Sequence, residues 1–206
     1  MKLASVAIEA DEGADVELSP SVIRILGGAL DMIAARGVKR LTMSDIIDAS
    51  GVSRGTLYRY FSNKDEVMAA VAEYVCSGFE NGVREAGEGI EDPIERLKAV
   101  MAFYARYTDE HSPGPIFAVE PAFHLAFFRS RFARYKRAVI DALEPTFAHL
   151  DELVGEPVNR EAFAEMMVRT QLSTLLVPAD DDWKQIWNAS ADRVQKWALA
   201  IAASHS

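Results

Sequence analysis

Apolar residues recur along this chain at helical spacing. Val22, Leu26, Ala29, Leu30 and Ile33 make one stripe in a segment opened by Ser19-Pro20 and closed by Gly37, the usual start and stop of a helix. Val67, Val71, Tyr74 and Val75 continue the period in a long helix expected from about Asn63 toward Gly78 and Gly82. Phe128, Phe132, Tyr135, Val139, Leu143, Phe147 and Leu150 form a third stripe, of the kind a helical bundle needs. Helices are expected near 93–111, 115–127, 129–153, 160–177 and 183–203, separated by Pro93, by Ser-Pro-Gly-Pro at 112–115, by Gly-Glu-Pro at 155–157 and by a break at 178–182. No alternating strand pattern is evident. The expected fold is all-α, with a flexible acidic tail over 1–18, a small helical domain over 19–79 and a helical bundle over 80–206.

The segment 42–64 reads T-M-S-D-I-I-D-A-S-G-V-S-R-G-T-L-Y-R-Y-F-S-N-K. Thr42 followed by Asp45 is a capping box, Gly51 supplies the left-handed residue that ends a short helix, and Ser53 caps a second one. Two short helices joined in this way are a helix-turn-helix, whose second helix enters the DNA major groove with its N-terminal residues leading. Arg54 on the first turn suits a guanine edge or a phosphate. Gly55 has no side chain to hold the backbone away from the groove. Thr56 offers a hydroxyl and a methyl, and Tyr58 and Tyr60 offer phenolic donors to phosphate. Val52, Leu57 and Phe61 are the apolar set that must face inward. Asn63 caps the next helix, whose first turn carries Lys64 and so presents a positive helix end and an ammonium together.

This stretch resembles the helix-turn-helix of the TetR family of bacterial transcriptional regulators, whose usual pattern is I-A-x-x-A-G-V-S-x-G-T-L-Y-x-[HY]-F-x-x-K. The resemblance extends less sharply over about 19–79. It implies that Thr42, Ser53, Tyr58, Tyr60 and Lys64 hold backbone phosphates and that Arg54, Gly55 and Thr56 lie nearest the bases. One departure is Ile47, which stands where the family usually has a small alanine at the crossing of the two helices.

Gly51-Val52-Ser53-Arg54-Gly55 also matches G-x-S-x-G, the nucleophile elbow of serine hydrolases, which requires a strand before the serine. Residues 43–50 show helical rather than alternating apolar positions, so that reading is set aside and no enzyme is expected. The four histidines, His111, His124, His149 and His205, lack the spacing of a metal site, and no metal or cofactor is expected. Cys76 is the lone cysteine and reads as a small buried residue. With no apolar run of about 18 residues and no signal-peptide pattern, the expectation is a cytoplasmic protein without membrane contact. Asn188-Ala189-Ser190 matches a glycosylation pattern that is empty in that compartment.

The net charge of −9 is unevenly distributed. Residues 1–18 carry one Lys against five acids, residues 19–70 carry seven Lys and Arg against five acids, and residues 71–206 carry fourteen against twenty-one. The only net-positive segment holds the motif, and local charge governs phosphate contact.

The bundle is rich in aromatic and sulfur side chains, most of which read as core. A wide apolar cavity with a few polar groups is where a bundle binds a small molecule. Tyr104, Tyr107, Phe123, His124, Phe127, Met166 and Thr170 are the candidate lining of such a pocket for a small hydrophobic or amphipathic effector, in keeping with the inducer that TetR-like proteins usually hold there. Leu172, Leu175, Leu176, Ile186, Trp187, Val194 and Trp197 are candidates for a homodimer interface, which would set two recognition helices on a palindromic double-stranded DNA operator. The resemblance makes a ligand-released repressor the leading reading, with Gly78 and Gly82 as a soft point in the long helix. The alternative is a TetR-like DNA binder that works without a small molecule, in an architectural or protein-partnered role.

Overall fold

The computed structural model describes residues 18–111, 119–176, 185, 187 and 189–204. The acidic tail up to position 17, the breaks at 112–118 and 178–182, Ile186 and Asn188 lie outside the described residues. Every regular element among those described is a helix: α1 Pro20–Arg36, α2 Met43–Ser50, α3 Arg54–Tyr60, α4 Lys64–Gly87, α5 Pro93–His111, α6 Pro121–Ala142, α7 Glu144–Val154, α8 Arg160–Leu176 and α9 Ser190–Ser204. None is long and apolar enough to cross a membrane.

Local chemistry accounts for most boundaries. Ser19 accepts the Val22 N–H at 3.4 Å, Pro20 occupies the first turn of α1, and Gly37 stops the helix at φ 79°. Asn63 Oδ1 accepts the Glu66 N–H at 2.9 Å while the Glu66 carboxylate accepts the Ser62 N–H at 2.7 Å, which opens α4 with a reciprocal cap.

The helices expected over 115–127 and 129–153 are divided differently. One helix, α6, runs through position 128 and ends at Ala142, and α7 starts at Glu144. Pro145 is the reason: it lacks the N–H that a helix interior requires, so the chain breaks before it and takes the proline into the first turn of a new helix. The third stripe is therefore shared, with Tyr135 and Val139 buried from α6 and Phe147 and Leu150 from α7.

The helices pack as two compact units, residues 18–77 with 119–129, and the described parts of 78–112 and 130–206. The first core gathers Val22, Ile25, Leu26, Ile33, Leu41, Ile46, Leu57, Phe61 and Val67. In the second, Phe79, Leu97, Tyr104, Tyr135, Leu143 and Phe147 are buried. Segment 119–129, assigned from sequence to the bundle, packs in the first unit. Helices α4 and α6 each contribute residues to both units.

The expected soft point in α4 lies within a continuous helix. The helix runs unbroken past both glycines to Gly87, and a Cβ on Gly82 would stand 2.3 Å from the Phe103 ring. Gly82 is a packing residue that leaves room for Phe103, whereas Gly78 faces open space. The expected outcome of Gly82→Ala is a loss of about 1–3 kcal/mol from overpacking, and of Gly78→Ala a gain of up to about 1 kcal/mol from helix propensity. Urea unfolding of the two single variants checks both signs.

Candidate nucleic-acid interface

The interface is built from α1, α2 and α3. Helix α2 is held by Thr42 and Asp45 in both directions: Thr42 Oγ1 accepts the Asp45 N–H at 3.2 Å, and Asp45 Oδ2 accepts the Thr42 N–H at 2.9 Å and its hydroxyl at 2.6 Å. Gly51 ends α2 in the left-handed region at φ 64°, its N–H reaching the Ile47 carbonyl at 3.0 Å. Where α1 meets the end of α2, a Cβ on Gly28 would lie 2.7 Å from the Ser50 backbone nitrogen. Only glycine admits that approach, and Ser50 turns its hydroxyl back to the Ile46 carbonyl at 2.6 Å. Ile47 packs half-buried against the same core.

Helix α3 is seven residues long, too short to stand alone in water. Ser53 caps it by accepting the Thr56 N–H at 3.0 Å, and Leu57 and Phe61 are buried beneath it. With that face inward, Ser53, Arg54, Gly55, Tyr58 and Arg59 are exposed. The Arg54 guanidinium lies 5.4 Å from the centroid of the Tyr58 ring, a cation–π contact that restricts both side chains.

The other candidate residues have local partners. Thr56 is half-buried, its hydroxyl 2.8 Å from that of Ser53. Tyr60 packs on the core edge, and its hydroxyl accepts from Ser19 and from Arg59, each at 3.2 Å. These two bonds, Ser19 first, hold its pKa below the ordinary 10.0. Lys64 donates its ammonium to the Val38 carbonyl at 3.2 Å. Thr42 is exposed. One participant has no local signature in sequence. Glu120, just before α6, accepts the N–H of Val38 at 2.7 Å and that of Lys39 at 3.3 Å, across 82 positions of chain.

The candidate effector residues are divided between the two units. Phe123, His124 and Phe127 belong to the first unit, whereas Tyr104, Tyr107, Met166 and Thr170 belong to the second. His124 is buried with its ring edge-on to Phe123 at 5.4 Å. Tyr104 is fully buried, and burial pushes its hydroxyl pKa upward. Tyr107 and Thr170 are half-buried, while Met166, 61% exposed, faces solvent instead of an interior pocket. The centre of the aromatic group is Phe79, which meets Phe103, Tyr104, Tyr107 and Tyr135 at centroid distances of 5.1–5.9 Å. Sequence reading passed over Phe79, although it lies four residues beyond Val75 on the α4 stripe.

Of the candidate dimer residues, Trp187 is corrected. It is 8% exposed, and its indole N–H donates to the Met101 carbonyl at 2.8 Å, so both its apolar ring and its polar atom are satisfied inside the second unit. Val194 is half-buried against Leu150, Val154 and Ala198. Leu172 is half-buried, and Trp197 is 62% exposed. The backbones of Leu175 and Leu176 lie in α8, but their side chains, like Ile186, lie outside the described residues.

A short N-terminally capped helix that turns Arg54, Gly55 and Tyr58 outward, braced by α1 and α2, defines the helix-turn-helix class of DNA-binding module. Residues 25–71 match the family model described as bacterial regulatory proteins, tetR family. Over those residues the chain carries the N-terminal domain that this family model describes.

The transcriptional activator FasR of Mycolicibacterium smegmatis is 31% identical over 91 residues, 44% of this chain and 42% of that protein. The transcriptional repressor KstR2 of Mycobacterium tuberculosis is 25% identical over 123 residues, 56% of this chain and 60% of that protein. The first relatives thus match over about two fifths of their own length. The TetR-family regulator PfmR of Thermus thermophilus has the same fold at TM-score 0.59, with 20% identity, 83% of this chain and 93% of that chain covered.

The Asp45 carboxyl sits below its ordinary pKa of 3.8, first because of the Thr42 hydroxyl, then the Thr42 N–H, with a smaller contribution from Arg36, whose guanidinium lies 2.9 Å away. A depressed folded pKa gives stability that is present above the unfolded value and lost as pH falls through the folded one. Wild type is therefore expected to exceed Asp45→Asn in unfolding midpoint at neutral pH, and the two to converge on acidification below 3.8. Urea unfolding of both across that range checks it, and a difference that persists in acid would contradict it.

Proposed function

We propose that this chain is a sequence-specific transcriptional regulator, a homodimeric repressor that binds a palindromic operator and is released by a small hydrophobic or amphipathic effector. The observation that carries the reading is the outward face of α3, where Arg54, Gly55 and Tyr58 are exposed and the helix roll is set by buried Leu57 and Phe61. Arg54 reads a base edge, and Tyr58, Ser53 and Thr42 meet phosphates. From half-buried positions Thr56 lies beside the bases with Arg54 and Gly55, and Tyr60 and Lys64 meet phosphates. No group of three or more potential metal ligands exists among the described residues, and the reading requires none.

The dimer reading rests on exposed apolar side chains of the second unit, Met166 on α8 and Trp197 and Leu199 on α9. Association would remove these side chains from water. A two-fold dimer sets its recognition helices about 34–36 Å apart, matched to successive major grooves. Effector binding among the aromatic side chains of the second unit then acts by preferring an arrangement in which the two heads no longer fit the operator.

A second reading, regulation without a small molecule, is favoured by the close ring packing around Phe79, which is what a filled core looks like.

Selection of duplexes from a random pool by the purified chain, followed by gel shift, tests the DNA reading. A discrete complex with two chains per duplex is expected. Arg54→Ala should weaken it by about 1–3 kcal/mol and relax the sequence preference, and Tyr58→Phe should weaken it without changing that preference. Failure to enrich any sequence overturns the reading. Melting temperature in the presence of a panel of hydrophobic compounds separates the two forms of regulation: a concentration-dependent rise favours an effector, and no rise favours its absence.

A further inference from the structure

We propose that the turn at 37–41 is a phosphate-binding element in its own right, with Lys39 and Arg40 as its contacts and Glu120 as its positioning residue, an inference that rests on the DNA-binding reading above. Surface turns are commonly solvated and mobile. This one is held from three directions. The Glu120 carboxylate takes the Val38 and Lys39 N–H groups, the Lys64 ammonium takes the Val38 carbonyl at 3.2 Å, and the Leu41 N–H closes on the same carbonyl at 3.3 Å while the Leu41 side chain is buried in the core. Gly37 is part of the device. At φ 79° it adopts a backbone that glycine favours, and a Cβ there would lie 2.9 Å from the Glu120 carboxyl carbon and 3.0 Å from Val119 Cγ1, so the Glu120 side chain lies directly across it.

The two residues that this turn displays are both cationic and both exposed. Neither has an ion-pair partner among the described residues, in contrast to Arg36, Lys98, Arg134, Lys136, Arg160 and Arg169, each paired with a carboxylate. They directly precede Thr42, the exposed cap of α2. An ammonium and a guanidinium on a backbone already ordered lose less freedom on meeting a phosphodiester than they would on a mobile loop. Lys64, whose ammonium braces the turn, thereby acquires a second role besides phosphate contact. The Glu120 carbonyl also accepts the N–H groups of Phe123 and His124, so the same residue begins α6 and grips the turn. The position of the phosphate-binding turn therefore follows that of the first turn of α6.

The test measures affinity against salt concentration for the full chain on a duplex selected by the wild type and on a scrambled duplex. Removing one phosphate-neutralising cation lowers the steepness of log K against log salt by about 0.9. Lys39→Ala with Arg40→Ala, both at exposed positions that leave the fold intact, should reduce the slope by about 1.8 and weaken both duplexes alike. Glu120→Ala should reduce the slope in the same direction, and Glu120→Gln, which keeps one acceptor for the Val38 N–H, should restore most of it. Thermal melting of each variant separates a positioning effect from unfolding. An unchanged slope in the double variant, with Arg54→Ala still weakening binding and relaxing the sequence preference, overturns the turn proposal and leaves the DNA reading standing. A wild-type slope in a folded Glu120→Ala variant overturns the positioning role. Absence of salt-dependent binding by the wild type overturns both.

Discussion

The roll of α3 about its own axis is the constraint on which the candidate interface depends, and it is set by two side chains one helical turn apart, Leu57 and Phe61, both fully buried. Seven residues do not make a stable helix in water, so the element exists because that face is removed from solvent, at about 1.5–3 kcal/mol for each large side chain. Everything functional follows geometrically. With Leu57 inward, Arg54 and Tyr58 lie on the outer face, and with Gly28 letting α1 rest against the end of α2, the brace beneath α3 has little freedom to tilt. The side-chain caps at Thr42 and Ser53 are smaller terms. Each satisfies backbone donors at a helix start that would otherwise have no partner.

Several cations of the second unit are held in ion pairs, as Arg36 is by Asp45 in the first. In the second, Arg160 bridges Glu144 and Asp151 at 3.0 and 2.9 Å, Lys136 bridges Glu161 and Glu165, and Arg134 is paired with Glu80. Exposed pairs of this kind contribute little stability, but they remove positive potential from that surface. In the first unit Arg54 lies over an aromatic ring and Lys39 and Arg40 lack carboxylate partners among the described residues, so their charge remains available. In a chain of net charge −9, cationic side chains left available beside the helix-turn-helix favour phosphate contact without general adhesion to nucleic acid.

Legibility from sequence followed the range of the interactions. The caps of α1, α2, α3 and α4 were readable because each is made within four residues, and the structure places Ser19, Thr42, Gly51, Ser53 and Asn63 where local chemistry requires. The stripe of α4 was readable, but its role for Gly82 was not, because the Phe103 ring that fills the space comes from α5. The division of α6 from α7 at Pro145 was available in the letters and was passed over in favour of an uninterrupted apolar stripe. The period of that stripe persists across the break because both helices face the same core.

By itself, the sequence determined the all-helical class, the helix-turn-helix and the identities on its outer face, since helical period and capping are contained in short windows of chain. Tertiary structure alone decided that Trp187 turns inward to the Met101 carbonyl, that Met166 faces solvent, that Tyr60 answers to Ser19, and that Glu120 reaches the turn at 38–39. Each of these depends on which distant side chain arrives to satisfy a polar atom or cover an apolar one. No window of local sequence contains that information.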